Sequence, residues 1–296
     1  MFYLRLDHIL VLPFGLHNIT PFEHWLIIAS TRYDTGMPIS MQQLLPYLKI
    51  GTVATFNMDY FEIVSWEKID VSTLPTKNIT LSDSGLGPAA FRLFLQFFPR
   101  LERLSYEHDG SVASQYPLQP VLCGRALAHL KDCLRELILI DENPVTVRYL
   151  FSGATELEIR RDDIGPIGVL VDFAKLEVLD TMYHILIAPC YDEGDDIQYM
   201  KNQSLVSALP PSIKSLTVRY CPEEFIPHIH ELFDHIERFP QLASFRVFFD
   251  RSGPQVTITA SSMQILREKS LERSVSLDLQ YLGVEVDEAM VDLGGL

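Results

Sequence analysis

No C-x-x-C pair occurs anywhere in this chain. Its four cysteines, Cys123, Cys133, Cys190 and Cys221, are too widely spaced for a zinc-binding set and are most simply small buried hydrophobes. There is no G-x-x-x-x-G-K-[ST] phosphate loop and no G-x-S-x-G nucleophile turn. Gly85-Leu-Gly87 supplies two of the three glycines of a dinucleotide fingerprint, and Pro88 right after it suits a turn that opens a helix. No stretch approaches the ~18 consecutive apolar residues of a membrane-spanning helix. The apolar run at 9–16 is broken by Pro13 and Gly15, follows Asp7 and precedes no small-residue cleavage site, so it does not read as a signal peptide. The sequons at Asn18, Asn78 and Asn202 are then expected to be chance matches. A basic cluster is also missing. The net charge is −15, and most of the excess acid follows Arg148, partly in Asp192, Glu193, Asp195 and Asp196. Nucleic acid and anionic membranes are therefore not expected partners. These absences lead us to expect an acidic protein of the cytoplasm or nucleus, with no cofactor and no bound metal.

What the chain does have is apolar material and a period. Hydrophobic residues make up 47% and charged residues 21%, enough to build a core. The run Leu101-Glu-Arg-Leu104-Ser-Tyr106 recurs as Leu134-Arg-Glu-Leu137-Ile-Leu139, as Leu176-Glu-Val-Leu179, as Ile213-Lys-Ser-Leu216-Thr-Val218 and as Leu242-Ala-Ser-Phe245-Arg-Val247. Weaker copies surround Ile79-Thr-Leu81, Leu157-Glu-Ile159, Leu277-Asp-Leu279 and Val53. The template is L-x-x-L-x-L, with starts at residues 50, 76, 101, 134, 154, 176, 213, 242 and 274. The spacing overlaps the ~20–29 residues of leucine-rich repeats and strays above it, as repeats with insertions would.

Between copies the sequence reads as helix. Residues 88–98 open with a proline, which suits a first helical turn, and carry Phe91, Leu93, Phe94, Leu95, Phe97 and Phe98. Over 223–239, Phe225, Ile229, Leu232, Phe233 and Ile236 follow the 3.6-residue period. Pro99, Pro211 and Pro240 each stand two residues before a template start, where a proline ends a helix and extends the residue before it. Helix, proline and strand thus recur as one unit that cannot bury its own apolar face and must stack on copies of itself. The expected fold is α/β: a leucine-rich-repeat solenoid over 50–282 with irregular repeats, a curved parallel sheet on the concave side and helices on the convex side. Residues 1–49 are expected to cap it, with helical runs near 22–30 and 40–48, and 283–296 to form a polar tail. Strands are expected near 101–107, 135–141, 156–161, 176–181, 214–220 and 243–249, adjacent in that order.

In this template the residues at positions four and six face the core, and positions three, five and seven face solvent on the concave side. The solvent side then carries Arg103, Ser105 and Glu107; Glu136, Ile138 and Ile140; Glu156, Glu158 and Arg160; Val178, Asp180 and Met182; Ser215, Thr217 and Arg219; and Ser244, Arg246 and Phe248. Apolar and arginine side chains together on one face are characteristic of a protein-binding surface. The expected contact set is Glu136, Ile138, Ile140, Glu158, Arg160, Val178, Met182, Arg219, Arg246 and Phe248, meeting a protein partner.

The phrases LLPYLKIGTV (44–53), FLQFFPRLERLSYEHDG (94–110), LVDFAKLEVLDTMYHILI (170–187) and LPPSIKSLTVRYC (209–221) resemble the leucine-rich-repeat region of fungal F-box-like proteins. The resemblance implies a substrate-recruiting subunit of a cullin-type ubiquitin ligase, with a ligase adaptor as a further partner. Two features depart from that family. No helical segment opens with L-P-x-E-[IL], since Leu12-Pro13 is followed by Phe14-Gly15. The ninth template position, usually Asn or Cys, holds Asp109, Glu142, Asp162, His184, Cys221 and Asp250. The expected function is non-enzymatic protein binding, with a scaffold lacking any ubiquitin link as the alternative. A third reading is a metal-dependent hydrolase on the 223–238 helix, where Glu224, His228, Glu231 and His235 would share one face. The i, i+5 spacing of His230 and His235 disfavours it, because the zinc motif H-E-x-x-H needs i, i+4.

Overall fold

The computed structural model describes residues 4–6, 9–13, 25–30, 55–59, 74–84, 86–108, 118–141, 166–168, 170–187, 204–249 and 260–281. Among them, eleven strands form one sheet whose spatial order is the order of the chain. They are β1 (Leu4–Leu6), β2 (Ile9–Pro13), β3 (Trp25–Ser30), β4 (Thr55–Asp59), β5 (Asn78–Ser84), β6 (Arg103–His108), β7 (Glu136–Asp141), β8 (Val178–Met182), β9 (Ser215–Cys221), β10 (Ser244–Phe249) and β11 (Ser276–Tyr281). β1, β2 and β3 pair antiparallel. From β3 onward every strand is parallel to the next. The helices are α1 (Pro88–Gln96), α2 (Pro120–Leu127), α3 (Tyr183–Leu186), α4 (Leu205–Ala208), α5 (Ile226–Asp234) and α6 (Ala260–Glu272).

The template explains the parallel strands. Its first, fourth and sixth positions are buried in copy after copy: Leu101, Leu104 and Tyr106; Leu134, Leu137 and Leu139; Ile213, Leu216 and Val218; Leu242, Phe245 and Val247. α1 packs on that face, with Phe91 stacked on Tyr106 at 4.8 Å between ring centroids. α5 packs there too, through Phe233 against Phe245. Each such aromatic, fully buried, contributes roughly 1.5–3 kcal/mol by leaving water. Prolines sit in the first turn of α1, α2 and α5, where the missing N–H costs nothing.

The second template position fixes the register. The carbonyl of Lys77 accepts from Glu102 N at 2.8 Å and Arg103 N at 2.9 Å. Those of Glu102, Arg135, Glu177 and Lys214 each repeat the double acceptance with the next copy. Side chains in this row alternate in sign: Lys77, Glu102, Arg135, Glu177, Lys214. Lys77 Nζ lies 2.6 Å from Glu102, and Glu177 lies 3.6 Å from Arg135 and 3.0 Å from Lys214.

Three expectations are corrected by the structure. β7 pairs directly with β8, Glu136 opposite Val178, so the copy at residue 154 places no strand between them. That copy offers only Leu157 and Ile159, whereas Glu177 and Val178 donate their amides straight to Arg135 O. Residues 156–161 themselves, like 40–48 and 283–296, lie outside the described residues. At the N-terminal end, 25–30 is strand β3, not helix. Trp-Leu-Ile-Ile is a short apolar run with no period to decide its type, and pairing with β2 and β4 makes it a strand. Finally, 223–239 is not one helix. The α-helix covers only Ile226–Asp234, between 3-10 turns at Glu223–Phe225 and Ile236–Arg238.

One glycine is set by close approach. A Cβ on Gly124, in α2, would lie 2.1 Å from the carbonyl oxygen of Ile167. Ile167 in turn donates its N–H to Ile185 O at 2.9 Å, so segment 166–168 is held between α2 and α3.

Candidate functional site

The face of the sheet away from the buried template positions carries the residues proposed from the sequence. Register aligns them in rows. One runs Arg103, Glu136, Val178, Ser215, Ser244, Ser276, and the next Ser105, Ile138, Asp180, Thr217, Arg246, Asp278. Glu136, Ile138, Val178, Arg219 and Phe248 are half-buried, and Arg246 is exposed. Ile140 is half-buried as well and packs partly against the core. Glu158 and Arg160 lie outside the described residues.

Two expectations fail here. Met182 is fully buried rather than solvent-facing. β8 ends at Met182 and the chain turns at once into α3. The Met182 sulfur accepts the Asp141 N–H at 2.9 Å, a donor that a longer β8 would have met with backbone. Thr217 is also buried, a short side chain flanked in register by Asp180 and Arg246.

The centre of the face is a built cluster. Arg219 donates from Nε to Asp180 Oδ1 at 2.7 Å and from Nη2 to Oδ2 at 2.8 Å. This two-pronged geometry is the strongest form of the arginine–carboxylate pair. It raises the already high pKa of Arg219, chiefly through the hydrogen bond to Asp180, against burial. The same guanidinium lies over the Phe248 ring, 5.2 Å from its centroid, a cation–π contact. A register shift between β9 and β10 puts both Arg219 and Tyr220 beside Phe248. Tyr220 takes φ 53°, the left-handed region that costs a bulky residue energy. Sequence spacing placed Arg219, Arg246 and Phe248 near each other. It did not single out Asp180, although an acid at position five beside a base at position seven of the next copy was a readable signal. Elsewhere on the face Arg103 lies 3.5 Å from Glu136.

Opposite, at the core ends of the strands, sequence reasoning missed a buried polar row. Ser84, His108 and Asp141 occupy adjacent strands in register and are all buried. Tyr106 Oη receives the Leu86 N–H at 3.1 Å and lies 3.0 Å from His108 Nδ1. Ser84 Oγ donates to Ser82 O at 2.9 Å, and His184 Nε2 sits 3.8 Å from Asp141. The signal was the alternation itself, which runs on from position six to polar residues at position eight. By residue type these resemble a hydrolytic triad, but burial denies a substrate access to them. Nearby, the Cys123 thiol is pushed up to about 12, by burial first and by the charge of Asp141 second. Burial likewise raises the Cys221 thiol well above the usual range. Thiols held protonated are poor nucleophiles and poor metal ligands.

The histidines of the 223–238 segment do not assemble as a shared helical face. Glu224 lies in the 3-10 turn before α5, and His235 is its C-cap. His228 and Glu231 approach at 3.7 Å, while Glu231 accepts from Ser204 Oγ at 2.6 Å. His230 turns to Ser262 of α6 at 3.2 Å. Among the described residues no three His, Cys, Asp or Glu side chains gather as a metal site. No helix among them is long and apolar enough to cross a membrane. The chain matches no protein-family model, and no curated protein is detectably similar to it.

Proposed function

We propose that this chain is a leucine-rich-repeat solenoid that binds another protein through the open face of its parallel sheet, with no catalytic step of its own. The observation that carries the reading is the cluster Asp180–Arg219–Phe248. An arginine fixed at two points and an aromatic ring beneath it give a surface already ordered before a partner arrives. Binding then loses little side-chain freedom there, and arginine and aromatic residues are the usual anchors of interfaces. Recruitment of a substrate to a cullin-type ubiquitin ligase is the use implied by the sequence resemblance and rests on that resemblance alone.

The test is affinity capture with identification of bound proteins, comparing the wild type with an Arg246→Ala, Phe248→Ala double variant. Both side chains lie on the open face, so the variant should keep its fold and lose roughly 2–4 kcal/mol of partner affinity. Neutralising Asp192, Glu193, Asp195 and Asp196, which lie outside the described residues, should cost under about 1 kcal/mol, the range of exposed ion pairs. Equal capture by the double variant would overturn the open-face reading. A ligase adaptor among the captured proteins is the outcome that the ubiquitin role requires.

A further inference from the structure

The charges of the open face are not all engaged, and those left over form a pattern. Arg103 meets Glu136, and Arg219 meets Asp180. Asp278 accepts from Gln280 Nε2 at 2.7 Å. Glu107 on β6 and Arg246 on β10 have no direct ion-pair or hydrogen-bond partner among the described residues, though the Glu107 charge is near enough to Arg219 to help raise its pKa. They stand four strands apart in the sheet order. At about 4.8 Å per strand, the separation is roughly 19 Å. On β7, beside Glu107, the face is apolar at Ile138 and Ile140, and in the row that holds Arg246 the residues between it and Ile138 are Asp180 and Thr217. Among the described residues of β6–β11 the face carries four carboxylates, Glu107, Glu136, Asp180 and Asp278, against three guanidiniums, Arg103, Arg219 and Arg246, so a phosphate backbone finds no continuous positive track there.

Building on the open-face reading, we propose that the partner is a polypeptide segment lying extended across the strands, with a basic side chain over Glu107, an apolar one over Ile138, and an acidic one over Arg246. An extended chain covers about 3.3–3.6 Å per residue, so base and acid are about six residues apart, with the apolar residue between. The opposite signs at the two ends give the segment one orientation, because the reversed placement sets like charges together. The fixed Asp180–Arg219 pair offers the segment little further charge, which leaves discrimination to Glu107 and Arg246.

The probe is a displayed library of random 12-residue peptides selected on the immobilised full chain. Enriched peptides should carry Lys or Arg and Asp or Glu about six residues apart, flanking an apolar residue. Their binding should fall at least tenfold on Arg246→Glu, and selection on that variant should enrich peptides with bases at both ends and no acid. Circular dichroism melts of each variant guard against loss of fold, and Arg246→Ala serves should Arg246→Glu unfold. If the selected peptides lose binding on Ile138→Asp but show no charge spacing and ignore Arg246→Glu, this inference is wrong and the open-face reading stands. If they bind Ile138→Asp, Arg246→Glu and Phe248→Ala like wild type, or no peptide is enriched over a bare surface, the open-face reading fails and takes the inference with it.

Discussion

Lys214 Nζ lies 3.0 Å from Glu177 Oε1, across one strand spacing, and the same oxygen is 3.6 Å from Arg135 on the other side. One carboxylate thus bridges the entrances of three strands, at the row where each carbonyl already binds two amides of its neighbour. Exposed pairs of this kind are each worth about 0.2–1 kcal/mol. Glu177→Lys replaces two attractions with two repulsions and should cost roughly 1–2 kcal/mol in urea unfolding at low salt. The loss should shrink by more than half in 1 M NaCl, where screening acts over about 3 Å. A cost independent of salt would mean that the side chain matters by packing, not by charge.

Asp180→Ala should cost about 1–2 kcal/mol, because it leaves the half-buried Arg219 guanidinium without its acceptor. Freed from Asp180, Arg219 should also leave the Phe248 ring, which NMR ring-proton shifts would register. If the shifts stay put and stability changes by less than about 0.3 kcal/mol, the pair contributes little to the order of the open face.

Gly124→Ala should destabilise by about 1–3 kcal/mol, the range for overpacking a filled site. The atom it meets is the backbone carbonyl of Ile167, already fixed through the Ile167 N–H to Ile185. Denaturant midpoints would show it. A variant as stable as the wild type would mean that segment 166–168 is not held against α2.

Burial lowers the pKa of His228 and His230 below the ordinary 6.5, with the Lys269 charge adding to the effect at His230. The carboxylates of Glu231 and Asp234 act the other way and do not overcome it. The unfolded chain therefore takes up protons near pH 6.5 that the folded chain still refuses. Stability from these groups is present above pH 6.5 and is lost as pH falls through their folded values. Glu102 and Asp234, both lowered chiefly by lysine hydrogen bonds, add a second loss below their ordinary carboxylate values. Urea midpoints should drop between pH 7.5 and 5.5 in the wild type and change less in a His228→Gln, His230→Gln variant. The same drop in both would assign it to other groups.

How much of this was legible in the sequence varied from copy to copy. Leu104 with Tyr106, Leu216 with Val218 and Phe245 with Val247 sit where the template put them, because a two-residue alternation anchored by a preceding leucine fixes both strand and face. The copy at residue 154 adds no strand between β7 and β8, although Ile79-Thr-Leu81 and Leu277-Asp-Leu279 are no longer and lie in β5 and β11, and no period marks Trp25–Ser30 as the strand it is. Position nine departs from the usual Asn or Cys in every copy but Cys221. The structure shows why the burial shifts: β6 and β7 keep strict alternation and bury position eight, His108 and Asp141. Irregular register beside β5 and β9 moves the buried site on to Ser84 and Cys221. A bulge of one residue is invisible to a spacing count. Arg219, Arg246 and Phe248 were legible by the same alternation. Met182 was not, because its fate depends on where β8 stops, and Asp180 acquired its role only from the neighbouring strand.

The order of the strands in space is the order in which they are synthesised. Each parallel strand needs only the one made just before it, so no part of the sheet waits for a distant stretch of chain to close it. Entropy lost in forming each new pair is that of closing the one segment between neighbouring strands, a cost that grows only slowly with its length. Assembly can therefore keep pace with translation, adding one unit at a time at the growing end, and insertions between units lengthen a loop without displacing any pairing already made.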